Sequence, residues 1–318
     1  FSRPLCSHLQ AIGLENKKIN YMKSLKLLLV SLAILVSHNV TVGQSSKDSK
    51  KSKNPVKSAL NAFKFRSIGP AFMSGRIADI AIDPKNENVW YVAVGSGGVW
   101  KTENSGTTWI PLADNMPFYS TGCITIDPHN NASIWLGTGE NVGGRHVGIG
   151  HGIYHSKDGG KSWKDMGLKK SEHISKIIVH PDDPNTVWAA SQGPLWSSGG
   201  ERGLFKTTDG GKTWKNTLDI NEWTGVTDLV IDPTNPDILY AASWQKHRNV
   251  AALIGGGPGT SLYKSVDGGD NWSKIDKGLP RSNKGKIGLA ISPMQPDVLY
   301  AAVELDKRAG AVYRSDNS

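Results

Sequence analysis

Cysteine is nearly absent: two in 318 residues, Cys6 and Cys123. Cys6 precedes Met22, so a chain started at Met22 keeps Cys123 alone, which excludes an intrachain disulfide and any cysteine-based metal site. Long apolar runs are absent too. The stretch Leu27 to Val36, broken by Ser31, is far short of the roughly 20 residues needed to cross a bilayer. Charge of one sign is missing from most of the chain. Residues 1–64 hold 11 of the 37 Lys and Arg but only two of the 28 acids, Glu15 and Asp48, leaving 26 of each sign beyond. The formal charge of +9 therefore belongs to the N-terminal stretch, and the remainder has no global field to draw in nucleic acid. Common catalytic signatures are lacking as well: there is no His-Glu-x-x-His, Gly-x-Ser-x-Gly or Gly-x-Gly-x-x-Gly. Gly-Lys-Ser at 160–162 and Gly-Lys-Thr at 211–213 mimic the end of a phosphate loop, but His155 and Lys206 stand where its first Gly is required. His146, His151 and His155 fit no zinc spacing, so neither a metal nor a cofactor is expected.

The N-terminal part reads as a processing signal. Met22 is followed by Lys23 and Lys26, then the short apolar run, then small residues around Thr41-Val42-Gly43-Gln44. That order predicts a signal peptide over 22–43 and a secreted, periplasmic or cell-surface protein, with no integral membrane segment after cleavage. Residues 1–21 then read as upstream read-through. Residues 44–64, rich in Lys and Ser, read as a disordered spacer.

Beyond Phe65 the chain repeats itself. An alternating apolar run ending in Pro appears at Ile77-Ala-Asp-Ile-Ala-Ile-Asp83-Pro84 and returns before Pro128, Pro181, Pro233 and Pro293. Seven residues after each Pro stands an aromatic: Tyr91, Trp135, Trp188, Tyr240 and Tyr300. This is strand, turn, strand. A second segment reads Thr102-Glu-Asn104-Ser-Gly106-Thr-Thr108-Trp109. It recurs around Asp158, Gly160 and Trp163, around Asp209, Gly211 and Trp214, and around Asp267, Gly269 and Trp272. A fifth copy, Ser315-Asp-Asn317, runs into the terminus. Similarity at about 50-residue spacing predicts one four-stranded blade per copy, an all-β propeller over 65–318 with four complete blades and the start of a fifth, cut off before its last blades.

The pattern Ser/Thr-x-Asp-x-Gly-x-Thr/Ser-Trp resembles the Asp box, or BNR repeat, of sialidases, sortilin-type receptors and xyloglucanase-like glycoside hydrolases. With the Ile-x-Ile-Asp-Pro strand it resembles bacterial secreted proteins with a sortilin (VPS10)-like propeller. The box residues read as structural: the Asp accepts turn N–H groups, the Gly permits positive φ and the Trp packs between blades. A residue repeated once per blade serves each blade rather than one active site.

Antiparallel order puts the Asp-Pro turns and the boxes on one face. The loops between second and third strands, roughly 95–98, 138–151, 191–203, 243–261 and 303–311, fall on the other, with the connections between blades. Irregular loops are where function concentrates. Eight of 11 tryptophans belong to the repeat; Trp196, Trp223 and Trp244 do not. With Glu140, Arg145, His146, Glu201, Arg202, His247 and Arg248 they are the candidate ligand contacts. The sortilin resemblance implies a face that holds a peptide, protein or glycan. The xyloglucanase resemblance implies a glycoside hydrolase, which needs two carboxylates about the scissile bond. In those enzymes a catalytic Asp precedes a Gly-Gly-x-aromatic segment; Gly95 stands at that position here, ahead of Gly97-Gly98-Val99-Trp100. Catalytic residues are therefore unassigned, and the hydrolase reading requires blades beyond this sequence.

Overall fold

The computed structural model describes residues 75–305 and 310–317. The expected leader, spacer and upstream stretch, and residues 65–74 of the expected propeller, lie outside these residues. The described part is all-β apart from one 3-10 turn, Lys169–Ser171. No helix in it is long and apolar enough to cross a membrane.

Strands follow the repeat. The first blade is β1 (Ile77–Ile82), β2 (Trp90–Val94), β3 (Gly98–Thr102) and β4 (Ile110–Pro111). The second is β5 (Thr121–Ile126), β6 (Ile134–Thr138), β7 (Ile153–Ser156) and β8 (Lys164–Asp165). The third is β9 (Ile174–Val179), β10 (Val187–Ser191), β11 (Gly203–Thr207) and β12 (Lys215–Leu218). In the fourth, β13 (Thr224–Ile231) and β14 (Leu239–Gln245) pair with β17 (Leu262–Ser265) and β18 (Ser273–Ile275). A small hairpin, β15 (His247–Arg248) and β16 (Leu253–Ile254), is inserted between β14 and β17. The fifth sheet has three strands, β19 (Lys284–Ile291), β20 (Leu299–Leu305) and β21 (Gly310–Ser315). All pairings are antiparallel, and the first strands of successive sheets lie side by side, as a propeller requires.

The core lies between sheets, not within them. Tyr91, Ala93 and Val99 of the first blade meet Ile134, Leu136 and Tyr154 of the second. Trp135 and Ile153 of the second meet Ile174, Val187 and Phe205 of the third. Trp135 and Trp188 are fully buried, each worth on the order of 3 kcal/mol of apolar transfer. Inner strands are also cross-linked by polar groups. The Asp79 carboxylate accepts from Ile124 N–H at 3.0 Å and the Asp228 carboxylate from Leu289 N–H at 2.7 Å.

In the first four blades the turn at each Pro is closed by the side chain before it. Asp83, Asp127 and Asp232 accept the N–H two residues on, at 2.9, 2.9 and 2.8 Å. In the third blade His180 Nδ1 does the same for Asp182 N–H at 3.0 Å. In each box the first hydroxyl accepts the Gly N–H, at 2.9 Å for Gly106, 2.8 Å for Gly160, 3.0 Å for Gly211 and 2.9 Å for Gly269. The acidic or Asn side chain accepts the N–H four positions on, at 2.9 Å from Thr108 and Ser162 and 3.0 Å from Thr213 and Asn271. Asn271 replaces the usual hydroxyl without loss, because its Nδ2 donates to Asp267 at 2.7 Å. Where Asn104 replaces Asp, the bond reverses: its Nδ2 donates to Thr108 at 2.9 Å. These donors hold Asp158 down at about 2, Ser162 first among them, and lower Asp209 and Asp267 as well. Gly211 has φ 82°, and a Cβ there would lie 2.9 Å from Trp135.

The box tryptophans link blades. Trp163 Nε1 donates to Leu112 O at 3.1 Å and Trp214 Nε1 to Met166 O at 2.7 Å, each in the preceding blade. Trp272 donates to Gly269 O in its own box, and Trp109 is 40% exposed beside Trp90.

Candidate functional site

The loops opposite the boxes interlock over the blades. The loop after β6 carries Glu140, which is buried. Arg76 donates to both its oxygens, Nε to Oε1 at 3.0 Å and Nη2 to Oε1 and to Oε2, the latter at 2.7 Å, and Gly148 N–H adds a fourth bond at 3.2 Å. The carboxylate rests against Gly95: a Cβ there would fall 2.2 Å from Glu140 Oε1. Any side chain at position 95, an Asp included, would displace Glu140 from Arg76.

Two loops and two inner strands are tied through main-chain carbonyls. Arg145 donates to Val250 O at 2.9 Å, and Arg248 donates to Gly143 O at 2.8 Å. Asn141 reaches across to Thr227 O at 3.3 Å, while Lys286 of the fifth blade donates to Asn141 O at 2.6 Å. Arg202 is buried, and its guanidinium donates to Gly199, Gln192 and Ser197 carbonyls at 2.8, 2.9 and 2.7 Å, and to Pro194 O. Burial lowers its pKa to about 10. Arg202 is thus a strut that folds its own loop. Glu201 is likewise engaged, accepting from Lys170 N–H at 2.7 Å.

Trp244 departs from its expected loop position. β14 continues through Gln245, so Trp244 lies in a strand, only 6% exposed, and not in a loop. Its Nε1 donates to Gly255 O at 2.9 Å, and the Lys246 and Lys286 ammonium groups stand 5.3 and 5.6 Å from its ring centre. Lys246 is fully buried and its Nζ has no hydrogen-bond partner. Burial first, then Arg202 and Lys286, push its pKa well down; burial lowers Lys286 to about 8. His173 nearby is buried, and burial and then Lys246 press it to about 3. Lys286 and Arg76 are not legible as site residues, since each lies far in sequence from what it bonds, and Lys246 is not legible because only the fold shows it to be buried.

Trp223 is stacked on His247, ring centres 4.2 Å apart, half-buried beside the hairpin. Arg145 and His146 are exposed, and Trp196 is 43% exposed. Of the three unrepeated tryptophans, then, Trp196 is the one facing solvent. It has apolar company that the sequence reading missed. Tyr119, Val142, Ile149, Val250, Leu253 and Ile254 are also exposed, Val250 at 85%, and all lie in loops or connections of this same face. In the turns of the box face the exposed large apolar residues outside the tryptophans are Val266 and Met294, and strands of the first and fifth sheets expose Ile77, Ile80, Ile82, Ile110, Tyr300 and Val312. Among the described residues no three or more His, Cys, Asp or Glu gather as a metal site. Cys123 is buried, and burial raises its pKa.

The family model Sortilin-Vps10 (sortilin, neurotensin receptor 3) matches residues 151–312, half of the chain. The chain is 24% identical over 239 residues to a probable oligoxyloglucan-reducing end-specific xyloglucanase of Neosartorya fischeri, covering 69% of this chain and 26% of that protein. It is 25% identical over 286 residues to a xyloglucanase of Hypocrea jecorina, covering 80% of this chain and 33% of that one. Among solved structures it is similar to an ancestral GH74 enzyme, with TM-score 0.59, 24% identity, and 76% of this chain on 30% of that chain. The GH74 xyloglucanase of Xanthomonas campestris gives TM-score 0.55 at 19% identity, 75% of this chain on 36% of that one. The fold is shared; the chain spans about a quarter to a third of the length of these relatives.

Proposed function

The chain belongs to the sortilin-Vps10 family, and from that premise we propose that it is an exported, ligand-binding propeller that holds a peptide or protein segment against its loop face. The observation that carries this is the exposure of apolar side chains in the irregular loops. Trp196, Val142, Val250, Leu253 and Ile254 stand exposed there, while Arg145, Arg202 and Arg248 are locked onto loop carbonyls. Rigid loops that present apolar anchors are what a peptide site needs, because little ordering entropy remains to be lost on binding.

A second reading, glycoside hydrolysis, is favoured by the xyloglucanase relatives. It is opposed by position 95, where Gly replaces the expected carboxylate and Glu140, the nearest acid, is tied to Arg76. A screen of the whole chain against a peptide library and a set of neutral polysaccharides separates the two. Peptide capture that falls at least tenfold in Trp196→Ala supports the binding reading. Release of reducing sugar from a polysaccharide, without peptide capture, contradicts it.

A further inference from the structure

The folded region is electrically balanced overall, yet one concavity is not. A cavity of about 460 Å³ opens where the loop 256–261 meets the connection 276–284, beside the fourth blade. Four cations, Lys274, Lys277, Arg281 and Lys284, line it against a single carboxylate, Asp276. That carboxylate is already engaged, 3.2 Å from Lys274 and accepting from Ser261. Lys284 is buried and donates to Pro280 O at 3.1 Å. The side chains of Lys277, Arg281, Ser282 and Asn283 have no partner among the described residues. The walls are firm: Gly257 N–H bonds Lys284 O at 3.2 Å, and a Cβ on Gly256 would meet that same carbonyl at 2.5 Å.

We propose that this cavity binds an anionic sugar unit, a uronate or a sulfate ester, of an acidic glycan. The unpaired cations supply charge-assisted donors for an oxyanion, with Arg281 able to grip two oxygens at once. Ser282 and Asn283 offer hydroxyl and amide partners for ring hydroxyls. Pro258, Leu279 and Pro280 give the C–H faces of a sugar an apolar floor. No aromatic lines the cavity, so it reads charge and hydroxyls in preference to the face of a neutral sugar. The volume suits one or two rings, and an extended acidic peptide would need a groove. The site shares no residue with the apolar loop-face cluster, so it stands or falls independently of the peptide reading.

Calorimetric titration of the full chain tests it, using a galacturonate trisaccharide, a chondroitin sulfate tetrasaccharide, neutral cellotriose and a tetraglutamate peptide. Binding of either acidic sugar, weakening as salt is raised, with none to cellotriose, is expected. The sugar that binds identifies carboxylate or sulfate as the group recognised. The Lys277→Ala/Arg281→Ala double variant, both residues exposed, loses about tenfold or more in affinity. Should that variant fail to fold, the salt dependence and sugar selectivity of the unaltered chain still decide. Failure of both acidic sugars to bind, equal binding of cellotriose or tetraglutamate, or an unchanged affinity in the folded double variant overturns the proposal.

Discussion

On the box face, Asp158, Asp209 and Asp267 hold their turns through bonds reaching no further than four residues along the chain. On the loop face, Arg145, Arg248 and Lys286 reach 105, 105 and 145 residues away. The box turns are local, repeated and exposed, with their tryptophans reaching the preceding blade; the loop-face contacts are non-local, unique and partly buried. Local bonds shape a turn in whichever blade contains them. Non-local bonds fasten loops into one surface, and that surface carries Trp196, Val250, Leu253 and Ile254 exposed. A ligand site needs the second kind of construction.

Substitutions that break one face and spare the other sharpen this contrast. The largest effect is expected from Arg202→Ala, which strips donors from four carbonyls, those of Gln192 and Pro194 buried, and leaves a hole. A loss of about 3 kcal/mol in denaturant unfolding is expected. Lys246→Met acts in the opposite direction. It removes a buried amine without a partner, and a gain of about 1–2 kcal/mol is expected near neutral pH. The sign of its pH dependence follows from the lowered folded-state pKa. Between that value and about 10.4 the unfolded chain binds the proton and the folded one does not, so wild-type stability rises with pH in this window. The advantage of Lys246→Met therefore shrinks as pH approaches 10, which thermal melts across pH reveal. The smallest effect belongs to the box face. Asp158 has its folded pKa held at about 2, so its contribution is present above about 4 and fades as pH falls toward 2. Asp158→Asn is expected to flatten the melting-temperature profile in that acid window, melting slightly below the unaltered chain at neutral pH and equal to it near pH 2. His173, held at about 3, weakens the fold over the higher range from about 6.5 down to 3 and is untouched by that change.

Sequence legibility divides along the same line. The blades were legible because every blade repeats the same turn chemistry, so Asp83, Asp127 and Asp232 report one another. Even the departures kept the hydrogen-bond pattern, with His180 standing in for Asp and Asn271 for a hydroxyl. The loop face was legible only as a location. Nothing near Glu140 in sequence announces Arg76, 64 residues earlier, and nothing marks Lys246 as a residue with no exposed surface. Arg202 and Trp244 looked like ligand contacts because a charged or aromatic residue outside the repeat has no assigned partner. In the folded chain the loop's own carbonyls claim Arg202, and strand β14 runs two residues further than its repeat and takes in Trp244. The apolar hairpin tip escaped notice because Val250, Leu253 and Ile254 are unremarkable until the fold leaves them uncovered.

One matched pair of substitutions tests the division of labour most directly. Val250 on the loop face and Val266 on the box face are the same residue, 85% and 68% exposed. Each is changed to Asp in the full chain, and affinity for a captured peptide is measured alongside melting temperature. Loss of binding in Val250→Asp, with Val266→Asp binding as well as the unaltered chain and both melting normally, is the predicted result. Loss of binding in Val266→Asp with Val250→Asp unaffected contradicts it.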